Sequence, residues 1–396
     1  FQFSVYVYLL IFILISLSLY WHQEGPPVKN KFKLISILWF TLPYLIGFFY
    51  SRYRSSILQY SVLIFSFPFL LFILFGYLKT SKQLQKLALV ALIALVVIPS
   101  LIFGRDHYSL FYKGIYSEIV RESKMAVDSL GTERCTVLMD AKKEITPYYL
   151  QKWNCENMPF RYFTDLPREE GGQSWLDGCN ADFIAFGCLA SNNQTAYAMI
   201  LEKYPFLVVH HKYFSGDFFL FSRISAQNSK NEYFSLTANN FEPSLPEWGW
   251  VDEKSCNDSL ALEGKKSWVC KGREFSPTYK KSLRDMIHTE NDIIDVSADL
   301  RLPQIFPGAW LVITITSDGK SIKWLSVPIS DFIKPGETGR VYQSVRMSDV
   351  ELRHHRLEFS TFIWNPMKSD YILDNFSIRV RSGNPVIYGL YRDIKL

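Results

Sequence analysis

The chain has 396 residues, of which 48% are hydrophobic, and it carries a formal net charge of +5. This length exceeds that of one ordinary domain. Up to Gly104 we count eight Lys/Arg against the single acid Glu24, a balance of +7 that leaves −2 for the remainder. The basic residues therefore belong to the N-terminal region, and a nucleic-acid-binding surface is excluded as the source of the positive charge.

The N-terminal region contains four hydrophobic segments, and we expect them to be membrane-spanning helices. They are Phe1–Trp21, Leu34–Tyr50, Ile57–Leu78 and Leu87–Gly104. The first, third and fourth contain no charged residue and are each about long enough to cross ~30 Å of hydrocarbon as a helix. The second is shorter and carries Pro43, which predicts a kinked helix packed against its neighbours. Because Phe1 is not an initiator Met and lies within a hydrophobic run, we expect an N-terminal portion to be missing.

The loops between these segments predict an orientation. Loops His22–Lys33 and Lys79–Lys86 each hold three lysines, and basic residues are retained on the cytoplasmic side of short loops. The loop Ser51–Ser56 and everything after Gly104 would then lie outside. We therefore expect a multi-pass membrane protein with residues 105–396 outside.

This orientation leaves two arginines, Arg52 and Arg54, at the outer surface of the bilayer. Arginine presents a planar fork of donors that suits phosphate, so the pair is a candidate donor-phosphate site. The alternative is that both side chains extend to lipid headgroups without a specific ligand. The residues alone leave both interpretations open.

All six cysteines lie after Gly104, and an even number suits disulfides in an oxidising compartment. They are Cys135, Cys155, Cys179, Cys188, Cys256 and Cys270. We favour a bridge between Cys256 and Cys270, which flank a predicted turn, and then one between Cys155 and Cys179. The alternative is six unpaired, buried thiols. No CxxC spacing is present, so no zinc site is predicted.

After the spans, the pattern predicts two further domains. Residues 105–227 alternate between helix and strand signals, which indicates a small α/β domain with a mainly parallel sheet. From 228 to 396 strands dominate, which indicates a β-sandwich of jelly-roll type. The predicted fold class is thus a transmembrane helical bundle (1–104) followed by an α/β domain and a β-sandwich.

Three tryptophans of the predicted sandwich, Trp310, Trp324 and Trp364, are candidates for glycan stacking. A flat indole suits the apolar face of a pyranose ring. The alternative is that they pack in the core or at the rim of the sandwich. Asp140, at the end of a predicted strand, is a second candidate position, although a turn residue is the simpler interpretation.

The runs Trp39–Tyr44, Arg54–Tyr60 and Phe65–Phe69 resemble the closing spans of the GT-C glycosyltransferases. Within that superfamily they are most similar to the branch of dolichyl-phosphate-mannose protein mannosyltransferases and aminoarabinose lipid-A transferases, in versions found in Bacteroidetes. The resemblance covers only this N-terminal region. The Arg-Tyr pair usual at the head of one span is replaced here by Gln59-Tyr60.

The resemblance implies a multi-span bundle with an exoplasmic active site that moves a sugar from a polyprenyl-phosphate donor to a protein or lipid acceptor. It also implies a bacterial inner membrane protein with residues 105–396 in the periplasm. It implies a divalent metal in some members and a catalytic acid upstream of Phe1, and it assigns Arg52 and Arg54 to the donor phosphate. The residues themselves imply no cofactor. Two functions follow: part of a membrane glycosyltransferase, or a non-catalytic, membrane-anchored protein that binds glycans or assembles the cell envelope. The expected partners are the bilayer, a polyprenyl-phosphate sugar and a glycan, protein or lipid acceptor.

Overall fold

The computed structural model describes most of the chain after residue 115 and parts of the region before it. The described residues are 30–53, 68–69, 91, 94–95, 98–99, 115–166, 173–189, 194–213, 216–225, 229–242, 256–257, 260–352, 354–387 and 390–391. The chain divides into two compact units, Phe1–Asp106 and His107–Leu396. The predicted boundary between residues 227 and 228 falls inside the second unit.

The first unit contains one long described helix, α1 (Asn30–Tyr53), with Pro43 inside it. Trp39 of this helix stacks on Phe69 at a ring-centroid distance of 5.6 Å. The helix includes Arg52, so residues 51–53 are helical and not part of the predicted loop. The side chain of Arg52 and all of Arg54 lie outside the described residues, and the phosphate role stays a prediction.

The predicted fold class, with its bundle of four spans, is wrong. Strands prevail in the part of the chain that the structure describes, and no helix there is long and apolar enough to cross a membrane. Helix α1 carries Lys31 and Lys33 in its first turn and Pro43 in its interior, which interrupt its apolar stretch. The segment Phe1–Trp21 lies outside the described residues, and the third and fourth segments are described only at scattered positions.

Within the residues that the structure describes, the second unit begins with an α/β layer of four helices around a five-stranded sheet. The helices are α2 (Ile115–Leu130), α3 (Thr146–Lys152), α4 (Gln173–Gly178) and α5 (Thr195–Lys203). The strands are β1 (Cys135–Asp140), β2 (Phe160–Tyr162), β3 (Phe183–Cys188), β4 (Phe206–Tyr213) and β5 (Gly216–Ser222). The strand order is β2-β1-β3-β5-β4.

This sheet is mixed, whereas a mainly parallel one is predicted. Strand β1 pairs in parallel with β2 and β3, but β3–β5 and β4–β5 are antiparallel. The reason is the short connection between β4 and β5, because a parallel pair needs a long crossover and a tight turn permits only an antiparallel one. The helices cover both faces: α2 and α3 pack over one hydrophobic core and α5 over the other.

The sandwich that follows confirms the prediction of a β-rich C-terminal region. Its first sheet contains β6 (Tyr233–Asn239), β7 (Cys256–Asn257), β8 (Ser267–Cys270), β10 (Ile293–Arg301), β13 (Thr338–Arg346) and β15 (Tyr371–Arg381). Its second sheet contains β9 (Tyr279–Ser282), β11 (Trp310–Ser317), β12 (Lys320–Pro328) and β14 (Leu357–Trp364). A short hairpin, β16 (Val386–Ile387) with β17 (Leu390–Tyr391), comes last. One core of aliphatic and aromatic side chains fills the space between the two sheets.

A tight turn and a nearby β-bulge set the register of β11 with β12. Asp318 and Gly319 have φ values of +48° and +78°. Two consecutive residues at positive φ match the twist of a tight hairpin, and the pair Asp-Gly is favoured there. The turn pairs Ser317 with Lys320, and a β-bulge between Ile315 and Thr316 then shifts the register by one residue, so that Trp324 lies opposite Thr314.

Candidate functional site

Five aromatic residues gather on the outer face of the second sheet, and we call this surface the aromatic face. Its members are Phe275, Trp310, Trp324, Phe362 and Trp364. Trp310 and Trp364 are directly opposite each other on β11 and β14, and Phe275 forms an isolated bridge opposite Trp364. Because directly paired residues project from the same side of a sheet, these three form a row across it.

Strand alternation explains why the aromatic rings point away from the core. Leu311 and Ile313 of β11 belong to the core between the sheets, as does Ile363 of β14. Successive side chains of a strand point to opposite faces, so Trp310 and Trp364, next to these residues, point outward. The same two-residue period places Phe362 beside Trp364 on the outer face.

The rings contact one another mostly edge to face. Trp310 and Trp364 have centroids 5.3 Å apart and planes inclined by 37°. Trp324 stands at 85° to Trp364, with 6.4 Å between centroids, and at 69° to Phe362. Phe275 meets Phe362 at 71° and 5.6 Å. The five rings thus form one connected cluster and not isolated surface positions.

Two of the five rings are exposed to solvent, and Trp310, Phe362 and Trp364 are half-buried. Trp324 is 49% exposed and Phe275 is 48% exposed. Val312, which lies between Phe362 and Ser326 on the same face, is fully buried, so the aromatic side chains cover the middle of the sheet. Gathered apolar surface of this kind marks interaction sites more often than single exposed apolar residues do.

Polar groups border the aromatic face. The indole Nε1 of Trp364 donates to Glu274 Oε1 at 3.4 Å. Lys280, which shares a row with Trp324, forms an ion pair of 2.7 Å with Glu358. The border therefore supplies positively and negatively charged groups around an apolar centre. This arrangement is typical of ligand sites in which a few polar contacts orient the ligand.

The structure brings the three predicted tryptophans together. Sequence reasoning missed Phe362 and Phe275. Phe362 could have been found, because it lies two residues before Trp364 in an alternating strand. Phe275 lies outside the strands and joins the face only through its bridge to Trp364, so no local pattern marks it.

A second, buried cluster lies where the α/β layer meets the sandwich. His210 Nε2 lies 2.8 Å from Asp217 Oδ1, and His210 Nδ1 is hydrogen-bonded to Glu232 Oε1. Burial opposes the charged form of His210, but the hydrogen bonds of both carboxylates outweigh it, so the pKa of His210 is raised. Burial likewise opposes ionisation of Glu232, yet His210 lowers its pKa. This cluster is an internal ion-pair network.

Asp140, the strand-end candidate of the α/β sheet, is also buried. It lies opposite Cys188, which in turn lies opposite Asp217. Burial raises the pKa of the Cys188 thiol far above its usual range, with Asp217 adding to the shift, so this thiol is kept from acting as a nucleophile. We assign no catalytic role to this edge of the sheet.

The predicted bridge between Cys155 and Cys179 is wrong, since both are free thiols. Cys155 lies in the core under α2 and α3, whereas Cys179 follows α4, whose Leu176 packs on the opposite face of the sheet. The sheet itself therefore separates the two sulfurs.

The predicted bridge between Cys256 and Cys270 is contradicted as well, because Cys270 is a free thiol. The register places Cys256 opposite Trp268, two residues away from Cys270. Diagonal neighbours are roughly 7–8 Å apart, beyond the usual span of a disulfide. Among the described residues no group of three or more His, Cys, Asp or Glu side chains is placed to hold a metal ion.

No protein-family model matches the chain, and no curated protein matches it either. Solved structures with some similarity include the CBM22-1 xylan-binding domain of Paenibacillus barcinonensis Xyn10C, which is 15% identical with a TM-score of 0.25 and covers 45% of this chain and 96% of that one. The C-terminal family 22 carbohydrate-binding module of Clostridium thermocellum Xyn10B is 15% identical with a TM-score of 0.26, covering 40% of this chain and 98% of the other. A Stig cyclase of Fischerella sp. TAU is 12% identical with a TM-score of 0.23, covering 31% and 66%. We base the functional proposal on the geometry of the aromatic face alone.

Proposed function

We propose that the β-sandwich is a glycan-binding domain and that the aromatic face is its binding surface. The observation that carries the proposal is the cluster of three tryptophans on one exposed sheet face, with Trp324 half open to solvent. A pyranose ring has an apolar face of C–H groups that packs against an indole, and its hydroxyls at the ring edge remain free to bond. Glu274, bonded to the Trp364 indole, and the Lys280–Glu358 pair are polar groups on the border of the face.

Packing alone is a poor explanation of this surface. The tryptophans lie on the opposite side of the sheet from the core, where one expects polar residues in a sheet with one solvated face. Strand β12 follows that rule at Ser321 and Ser326 but breaks it at Trp324. An apolar ring exposed to water is unfavourable in the free protein. A ligand that covers the ring removes its surface from water, and this burial contributes to the free energy of binding.

Between the two functions expected from the sequence, the described residues favour the non-catalytic one. The glycosyltransferase interpretation depends on Arg52, Arg54 and an acid upstream of Phe1, none of whose side chains the structure describes. The aromatic face needs none of them. Membrane anchoring and a role in envelope assembly stay predictions from the N-terminal segments.

A glycan array probed with the purified full-length chain tests the proposal. We expect discrete binding to a subset of glycans and its loss in the double variant Trp324→Ala/Trp364→Ala. The control is Tyr148→Ala, which removes an exposed aromatic ring of α3 in the α/β layer. Circular dichroism must show that each variant is folded. Absence of binding by the wild type, or equal binding by the double variant, would overturn the proposal.

A further inference from the structure

We propose that a cleft between helix α5 and strand β6 binds a small organic anion, and that Arg379 is the principal contact of this anion. The ligand class is an oxyanion, either a carboxylate or a phosphate ester, on an apolar body. The cleft lies against the first sheet of the sandwich, whereas the aromatic face belongs to the second sheet. The site is therefore independent of the proposed glycan-binding surface.

The cleft has a volume of about 550 Å³, which is within the range of small-molecule sites. Leu201 of α5 and Phe206 of β4 line it from the α/β layer. Leu236 of β6 and Arg379 of β15, which lie directly opposite each other in the sheet, line it from the sandwich. Both strand neighbours of Arg379 belong to the core between the sheets, so alternation places Arg379 on the outer face.

Arg379 differs from two other arginines on the same face of this sheet. Arg340 Nε donates to Asp299 Oδ1 at 2.6 Å, and Arg381 Nε donates to Asp295 Oδ2 at 2.7 Å. The guanidinium of Arg379 forms neither an ion pair nor a hydrogen bond with any residue that the structure describes. A half-buried cation without a countercharge at the wall of a cleft favours the binding of an anion from solution.

The strand register explains why Arg379 is left unpaired. Asp295 of β10 lies directly opposite it. However, the carboxylate of Asp295 already accepts hydrogen bonds from Arg381 Nε at 2.7 Å, from the hydroxyl of Tyr233 at 2.8 Å and from the hydroxyl of Ser344 at 2.6 Å. The guanidinium carbon of Arg379 lies 5.7 Å from the centroid of the Tyr233 ring instead. This cation–π contact orients the guanidinium and leaves its charge unneutralised.

The other charged residues of the cleft add to the preference for an anion. Lys230 lines the cleft, and its exposed side chain forms no ion pair within the described part of the chain. The backbone N–H of Lys230 donates to the carbonyl of Leu207 at 2.7 Å, which attaches this segment to strand β4. The acid of the lining, Glu232, is hydrogen-bonded to His210, so its charge is balanced within the protein. Lys230 and Arg379 therefore give the cleft a positive potential.

The arginine and the apolar walls together define the class of ligand. A guanidinium presents a planar fork of donors that matches the oxygens of a carboxylate or a phosphate. Phe234 and Leu236 line the same cleft and are 37% and 61% exposed. An inorganic anion would leave this apolar surface in water, whereas an organic anion covers it while pairing with Arg379.

A neighbouring cleft of about 640 Å³, lined by residues of α4, α5 and β13, lacks such an arginine. Its Arg340 donates to Asp299 at 2.6 Å and to Glu202 at 2.7 Å, so the guanidinium is already bound by two carboxylates. An oxyanion would have to displace one of these carboxylates. The unpaired arginine, and not the size of the cleft, distinguishes the proposed site.

The test uses the full-length chain and three naphthalene compounds that share one apolar body. 2-Naphthoate carries a carboxylate, 2-naphthyl phosphate carries a phosphate ester, and 2-naphthol is uncharged at neutral pH. We expect calorimetry to show that at least one anion binds about tenfold more tightly than 2-naphthol. The anion that binds more tightly identifies the type of oxyanion. Inorganic phosphate should bind more weakly than 2-naphthyl phosphate, because it covers no apolar surface.

Two substitutions in the cleft test its residues. Arg379→Gln should weaken binding of the preferred anion about tenfold and leave 2-naphthol binding unchanged. Lys230→Gln, at an exposed position, should weaken it about threefold and provides the measurement if Arg379→Gln does not fold. The matched control is Arg301→Gln, which removes an exposed arginine of β10 outside the cleft and should bind as the wild type does. Circular dichroism must show that each variant is folded.

Wild-type affinity for the anions in Arg379→Gln would overturn the proposal, and so would anions that bind no more tightly than 2-naphthol. If Arg379→Gln is unfolded, wild-type affinity in Lys230→Gln overturns it instead. Loss of anion binding in Trp324→Ala together with wild-type binding in Arg379→Gln would show that the naphthalene compounds bind at the aromatic face, which also contradicts the proposal. Each of these outcomes leaves the proposed glycan-binding function to its own test.

Discussion

The guanidinium carbon of Arg381 lies 3.9 Å from the centroid of the Tyr197 ring, which joins the last long strand of the sandwich to helix α5 of the α/β layer. Arg381 Nε also donates to Asp295 Oδ2 at 2.7 Å, and its Nη2 donates to the carbonyl of Gln194 at 3.3 Å. Both charged side chains of the Arg381–Asp295 pair are almost completely buried. The two layers of the second unit are therefore tied together by a buried charge network.

The first prediction concerns this network. Arg381→Gln should lower the free energy of unfolding by about 3–5 kcal/mol, because it leaves the buried carboxylate of Asp295 without its countercharge. Urea unfolding followed by circular dichroism measures the change. The control is Lys124→Gln, which removes an exposed pair with Asp128 on α2 and should have no measurable effect. Equal stability of Arg381→Gln and the wild type would contradict the role of the network.

The second prediction concerns the pH dependence of stability. The folded pKa of His210 is raised, so its contribution is fully present below the unfolded value of about 6.5 and is lost as the pH rises through the folded pKa. The pKa of Glu232 is lowered, so its contribution is present above the unfolded value for glutamate and is lost on acidification through the folded pKa. Stability of the wild type should therefore fall as the pH rises from about 6.5 through the raised folded pKa of His210.

Urea titrations across this pH range measure that slope. In His210→Gln the slope should be smaller, because the titrating group is gone. The half-exposed neighbour His211, which lies 3.3 Å from Glu122, provides the matched control His211→Gln. If His210→Gln keeps the full slope of the wild type, the assignment to His210 is wrong.

The third prediction concerns the thiols. Cys155 and Cys179 should both react with iodoacetamide in the unfolded, unreduced chain, because each is a free thiol. In the folded protein Cys135 should stay unlabelled, since it is fully buried and burial raises its pKa to about 11. Mass spectrometry of proteolytic peptides gives the result. A disulfide-linked peptide that contains Cys155 and Cys179 would contradict the structure.

The fourth prediction concerns a close approach of two backbone segments. A Cβ atom at Gly383 would collide with the carbonyl oxygen of Asn291, and the carbonyl of Gly383 accepts a hydrogen bond of 2.9 Å from Lys212 Nζ. Gly383→Ala should therefore destabilise the unit by about 1–3 kcal/mol. Gly178→Ala, whose Cβ would meet no atom within 4 Å, is the matched control. Thermal unfolding compares the two, and similar midpoints would show that the backbone yields at Gly383.

The local sequence pattern predicts a strand well where one face of the strand is apolar and the other is polar. Leu311, Ile313 and Ile315 alternate with residues of the outer face, and this two-residue period indicates a strand at β11. Strand β10 is harder to recognise, because acids lie among its apolar residues. Its Asp295 and Asp299 are satisfied by Arg381 and Arg340, which lie 86 and 41 residues further along the chain. A local sequence pattern does not reveal a partner so far along the chain. From the sequence, the two acids therefore suggest a segment exposed to solvent.

The candidate site shows the same limit. The three tryptophans were predicted as residue types that suit a sugar ring, but their convergence depends on the register of β11 with β12 and β14. The angle between the rings of Trp324 and Trp364 also depends on their side-chain conformations, which a local sequence pattern does not predict. Hydrophobicity predicted four spans, whereas the described part of the chain contains no helix long and apolar enough to cross a membrane.

The central claim is that the aromatic face binds a glycan, and calorimetry of three proteins tests it most directly. The wild-type chain, Trp324→Ala and Tyr148→Ala are titrated with the soluble oligosaccharide that the wild type binds best. We predict equal affinity for the wild type and Tyr148→Ala, and about tenfold weaker binding by Trp324→Ala with an unchanged unfolding temperature. Wild-type affinity in Trp324→Ala, or a wild type that binds no glycan, would contradict the account.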